Sequence, residues 1–135
     1  MYPGRPRSAR ESIDEDVSTA VLFLPLKGFY FDEIRAGRKP EEFRLETDHW
    51  RKRLVGRHYD FVLMTRGYPR ADDFRRQLLV PWRGYVPRTI THPHFGIDPV
   101  AVFAIDVGGQ PQPDSLIAAI RFPSASAQCA LACRR

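Results

Sequence analysis

Short apolar runs, each cut off by glycine or proline, set the strongest limit on what this chain can fold into. Ala20-Val21-Leu22-Phe23-Leu24 ends at Pro25 and Gly28, Tyr59 to Thr65 is closed by Gly67-Tyr68-Pro69, and Val100 to Val107 stops at Gly108-Gly109. Runs of this length between breakers read as strands, the first of them buried. Glu41 to Thr47 adds an alternating strand, with Phe43 and Leu45 on one face and Glu42, Arg44 and Glu46 on the other. From Leu78 to Thr91 the pattern is irregular, and Gly84 and Pro87 indicate a bulge or an edge. Two short helices intervene early. Phe29 to Ala36 spaces Tyr30 and Phe31 to meet Ile34, with Gly37 as the stop; Asp48 reads as the cap of a second helical turn that runs through Trp50 and Leu54 and stops at Gly56.

These elements predict an α+β domain over residues 19–108: five to six short strands with two short helices, arranged as a small closed or nearly closed β-barrel. Residues 1–18 mix Pro, Gly, Ser, Arg and acids without apolar periodicity and read as a disordered arm. Residues 109–135 read as a flexible tail, in which Leu116 to Ile120 or Ala127 to Cys133 has the material for one short helix but no evident packing partner. A chain of 135 residues with 43% hydrophobic content suits one domain. No uncharged apolar run reaches the roughly 18 residues of a membrane span, and the expectation is a soluble, cytoplasmic protein. Cys129 and Cys133 sit near the end of the chain and do not read as a disulfide framework. The sequence assigns no oligomeric state.

Charge narrows the partner. The formal net charge is +5, and between Arg35 and Arg88 fourteen Lys or Arg face seven Asp or Glu, so this segment carries +7. Such a balance suits a polyanion such as nucleic acid. Arginine outnumbers lysine eighteen to three across the chain. That ratio has two readings: a compositional bias, or selection for the planar fork that grips phosphate.

The candidate chemistry concentrates in Ala36-Gly37-Arg38-Lys39-Pro40-Glu41-Glu42-Phe43-Arg44. Gly37 accepts the left-handed conformation that ends a helix and Pro40 prevents its continuation, so the charged groups lie on a turn. Lys39 is a phosphate or oxyanion partner, while Glu42 and Arg44 share a strand face. The latter two either pair with each other or serve as general base and phosphate clamp. A salt-bridge network that holds the mouth of the domain shut is the structural alternative. Arg66 and Arg83 are further phosphate candidates, and Tyr68 and Tyr85, beside arginine-bearing turns, are candidate base-stacking platforms or ordinary wall residues. Trp50 reads first as a core anchor. His92 and His94 flank Pro93 without a third ligand at recognisable spacing, so nucleotide stacking or loop capping is expected there and no metal or other cofactor is implied.

The spacing Gly37-x-Lys39-x-x-Glu42-x-Arg44 resembles the G-x-K-x-x-E-x-R signature of the ASCH family, a branch of the PUA-like barrels. Pro25-Leu26-Lys27, Trp50-Arg51-Lys52-Arg53-Leu54, Thr65-Arg66-Gly67-Tyr68-Pro69, Pro81-Trp82-Arg83-Gly84-Tyr85 and Thr91-His92-Pro93-His94-Phe95-Gly96 look like segments of members found in phages and prophages. The resemblance covers roughly residues 20–107. It implies a small barrel with a cleft beside the signature that binds RNA or a modified nucleoside. Some relatives are ribonucleases, and others are amidohydrolases that deacetylate N4-acetylcytidine. In the amidohydrolase branch the position matching Glu42 is a threonine nucleophile activated by the lysine matching Lys39; here a carboxylate stands instead, so that mechanism does not transfer. Two functions follow as expectations. The first is a binding module with Lys39, Arg44, Arg66 and Arg83 on phosphate and Glu42 on a base edge. The second is a hydrolase with Glu42 as base and Lys39 stabilising an anionic transition state.

Overall fold

The computed structural model describes residues 19–123, which contain six strands and three α-helices in an α+β arrangement. The expectations for residues 1–18 and for Cys129 and Cys133 lie outside the described residues. In chain order the elements are β1 (Val21–Leu26), α1 (Gly28–Arg35), β2 (Glu41–Leu45), α2 (Asp48–Leu54), β3 (Phe61–Arg66), β4 (Gln77–Pro81), β5 (Tyr85–Ile90), β6 (Val100–Asp106) and α3 (Asp114–Arg121). No helix among the described residues is long and apolar enough to cross a membrane.

The strands form two three-stranded sheets, ordered β1-β3-β4 and β2-β6-β5. β1 and β3 run parallel, Val21 beside Phe61 through Leu26 beside Arg66, a pairing that requires the crossover made by residues 27–60. β4 returns antiparallel along β3. In the second sheet all neighbours are antiparallel, with Glu42 opposite Ile105 and Tyr85 opposite that same residue on the other side. The stretch from Leu78 to Thr91 is therefore not one irregular strand. It is two strands in different sheets, with Gly84 at φ 88° between them and Pro87 in β5 at a sheet edge, where its missing N–H costs no ladder bond.

Leu22, Leu24 and Leu26 of β1, Val62 and Met64 of β3, and Phe103 and Ile105 of β6 meet Phe31 and Ile34 of α1 and Leu54 of α2 in the main core. The opposite face of the β1-β3-β4 sheet is covered as well. There Leu63, Leu79 and Ile117 pack together, with Phe61, Phe74, Leu116 and Ile120 around them. This corrects the expectation of two helices and a tail from residue 109. α3 is a third helix, and Ile117, 1% exposed, docks it on the sheet. The physical reason was already present in β3, where Val62, Leu63, Met64 and Thr65 are buried in succession. A strand apolar on both faces must be covered on both.

Candidate ligand-binding cleft

α1 ends where its sequence dictates. Gly37 adopts φ 81° and donates to the Ile34 carbonyl at 3.0 Å, while Arg38 N–H reaches the Glu33 carbonyl at 3.0 Å. After Pro40, whose carbonyl accepts from Val107 N–H at 2.9 Å, the chain enters β2. Glu42 lies opposite Ile105, on the face that turns toward the core, so its side chain is only 8% exposed. Phe43 and Leu45, expected on the apolar face, are half-buried and exposed respectively. Burial on this strand thus favours the charged residue over its apolar neighbours, an inversion of the usual order.

Compensation for that inversion comes from two cations. Lys39 Nζ lies 3.5 Å from Glu42 Oε1, and Arg44 Nη2 lies 3.3 Å from Oε2. Their side chains are 16% and 22% exposed. Lys39 also donates to the Glu41 carbonyl at 2.6 Å and sits 4.3 Å from the Phe43 ring centroid. Arg44 donates to the Pro25 carbonyl at 2.9 Å and stands 5.1 Å from the Trp50 ring, which Arg53 also faces at 4.7 Å. Burial pushes the Arg44 guanidinium below its ordinary value, an effect that Glu42 opposes and Arg53 reinforces. Arg44 Nε is buried without a hydrogen-bond partner.

Above this triad opens a cavity of about 310 Å³. Its walls are largely aromatic: Tyr30 from α1, Phe43 from β2, Trp50 from α2, and His92, His94 and Phe95 from the loop after β5. Tyr30 lies 5.8 Å from the rings of both His92 and His94, and His94 meets Phe95 edge-on at 5.0 Å. His92 Nδ1 accepts the N–H of His94 at 3.1 Å, capping the 3-10 turn Pro93–Phe95 and fixing the rim. Lys27 and Thr47 complete the polar lining; the Thr47 side chain also accepts from Trp50 N–H, so Thr47, and not Asp48, caps α2.

Of the residues singled out in the sequence, Lys39, Glu42, Arg44, His92 and His94 meet in this cleft. Four others do not line it. Arg66 pairs with Asp32 at 3.2 Å on another face of α1, and Arg83 pairs with Asp106 at 3.3 Å. Tyr68 is 91% exposed. Tyr85 is half-buried against Phe103, at 5.3 Å between centroids, and Trp82, which makes it a wall of the core. Sequence reasoning missed Tyr30, Phe43 and Phe95 as cleft residues. Trp50, read as an anchor, both packs on the core and lines the cavity. Comparison of the chain with protein-family models, curated proteins and solved structures gave no match.

Proposed function

We propose that the cleft binds a nucleoside or nucleotide, as a free molecule or as the splayed-out base of an RNA strand. One observation carries this reading: a buried Glu42 flanked by half-buried Lys39 and Arg44 forms the floor of an aromatic-walled cavity of about 310 Å³. That volume lies near the lower end of the roughly 300–1,000 Å³ typical of small-ligand pockets, and suits one nucleoside better than a folded polymer. Aromatic walls stack a base whatever its identity, while a carboxylate flanked by cations offers both an acceptor and donors to its edge. The two sheets and the cleft at the G-x-K-x-x-E-x-R turn also suit the ASCH resemblance, and on that basis we read the fold as a PUA-like barrel.

The hydrolase reading rests on Lys39 and Glu42 lying 3.5 Å apart inside the cavity. Both Glu42 oxygens are engaged by cations, so proton abstraction from a substrate would begin by opening an ion pair. Binding is therefore the favoured activity. Calorimetric titration with cytidine, N4-acetylcytidine, cytidine monophosphate and single-stranded RNA tests it. Tyr30→Ala is expected to weaken binding about fivefold to 150-fold, the worth of roughly 1–3 kcal/mol per stacked base. Absence of binding across nucleosides, nucleotides and RNA, or an affinity untouched by both Tyr30→Ala and Lys39→Ala, overturns the proposal. Turnover of RNA or N4-acetylcytidine that is lost in Lys39→Ala and Glu42→Ala would favour the hydrolase.

A further inference from the structure

A second concavity, of about 470 Å³, lies on another face of α1 and is lined by Phe31, Asp32, Arg35, Arg66, Asp73, Arg75 and Arg76. Tyr30 faces the aromatic cleft and Phe31, Asp32 and Arg35 face this groove, so α1 stands between the two. We propose that the groove is a phosphate-binding site. Four arginines against two aspartates leave its lining at +2. Three of the four arginines are held by neighbouring groups. Arg35 donates to the carbonyls of Arg75 at 2.6 Å and Gln77 at 2.9 Å and lies 4.8 Å from the Phe31 ring, which fixes the backbone that carries Arg75 and Arg76. Gln77, buried, donates to the Ala71 and Asp73 carbonyls and closes the same loop. Arg66 is aligned by Asp32, and its guanidinium lies so close over Gly28 that a Cβ there would come within 2.6 Å of it. Arg76 is aligned by Asp73 at 2.8 Å.

Arg66 uses Nε and Nη2 on its carboxylate and Arg76 uses Nη1, which leaves further N–H donors on both forks; Arg75 makes no side-chain hydrogen bond or ion pair among the described residues. Guanidinium donors that line one groove, two of them aligned by neighbouring carboxylates, match the tetrahedral oxygens of a phosphate. The phosphate comes from one of two sources, the backbone of an RNA whose base occupies the cleft or a free polyphosphate. Only the first rests on the nucleotide reading of the cleft.

The test pairs wild type with an R66Q/R75Q variant, which leaves Arg35 and the loop it anchors untouched. Single-stranded RNA affinity is measured across salt concentration, and the arginine Nε–Hε resonances are followed in pyrophosphate. The variant is expected to lose affinity for RNA and to flatten the slope of log affinity against log salt by about 1.4, from roughly 0.7 per phosphate contact on a single strand. Its cytidine affinity should stay at the wild-type value. Pyrophosphate that shifts Arg66, Arg75 and Arg76 while RNA fails to bind assigns the groove to a free polyphosphate. Equal salt slopes in the two proteins, with no shift of those resonances in pyrophosphate, overturn the proposal. A groove that binds RNA with this slope beside a cleft that takes no nucleoside refutes the cleft reading alone.

Discussion

Replacing Glu42 with glutamine tests the account of the cleft floor most directly. The substitution preserves shape and removes the one negative charge between Lys39 Nζ and Arg44 Nη2, which lie 3.5 Å and 3.3 Å from its oxygens. At an effective dielectric near 20, each contact is worth roughly 5 kcal/mol of gross Coulomb attraction. Most of this is offset by the desolvation of the three groups, which the variant does not fully recover because both cations stay where they are. Removing one partner of a buried pair costs about 3–5 kcal/mol. The retained hydrogen bonds of Lys39 to the Glu41 carbonyl and of Arg44 to the Pro25 carbonyl, together with partial solvent access, place Glu42→Gln below that range, at about 2–3 kcal/mol. For a domain of this size such a loss lowers Tm by roughly 10–20 °C. Urea unfolding of Glu42→Gln, Lys39→Met and the double variant completes the cycle. The double variant should recover part of the loss, since it leaves one cation fewer without a counter-charge. A Glu42→Gln cost below about 0.5 kcal/mol, the range of an exposed pair, would refute the argument that the carboxylate balances the cleft.

Other substitutions probe the remaining links. Ile117→Ala should destabilise the domain by about 2–4 kcal/mol in chemical unfolding, because a helix that docks through one fully buried side chain leaves a cavity against Leu63 and Leu79; a neutral result would mean that α3 is not part of the cooperative unit. Gly37→Ala meets open space but must hold φ 81°, so a loss of about 1 kcal/mol is expected from backbone strain alone, readable as a lower urea midpoint at unchanged slope. The Arg38 guanidinium, 2.7 Å away, holds the Glu33 carboxyl below its ordinary value of 4.5. A depressed carboxyl contributes stability above its unfolded value and loses it as pH falls through the folded one, so Arg38→Ala should return the Glu33 carbon resonance to an ordinary acid titration. An unmoved titration curve would show that the pair does not persist in solution.

Much of this fold is legible as pattern. Apolar runs that stop at Gly67 and Gly108 mark β3 and β6, since glycine ends regular structure through local geometry alone, whereas β1 runs through Pro25, expected as its stop, to Leu26. The Gly37 stop is equally local. Legibility fails where a residue's partners come from afar. Tyr85 sits beside an arginine in the chain and suggests a platform, yet its ring packs on Phe103 because β5 pairs with β6. Arg66 and Arg83 contribute to the +7 segment, but Asp32 and Asp106 engage them from 34 and 23 positions away along the chain. Nothing in the helical spacing of Tyr30 says that it will face His92 and His94 across a cavity.

The sequence by itself determined the breakers, the strand and helix types of most elements and the turn that carries Lys39, Glu42 and Arg44, because each depends on backbone preferences within a few residues. Only the tertiary structure decided which face of β2 is buried, which aromatics wall the cleft and that α3 closes the second core. Those outcomes depend on register between strands distant in the chain. The parallel pairing of β1 with β3 and the antiparallel pairing of β2 with β6 bring Pro25, Glu42 and Trp50 to one cleft and leave Arg66 on the other side of α1.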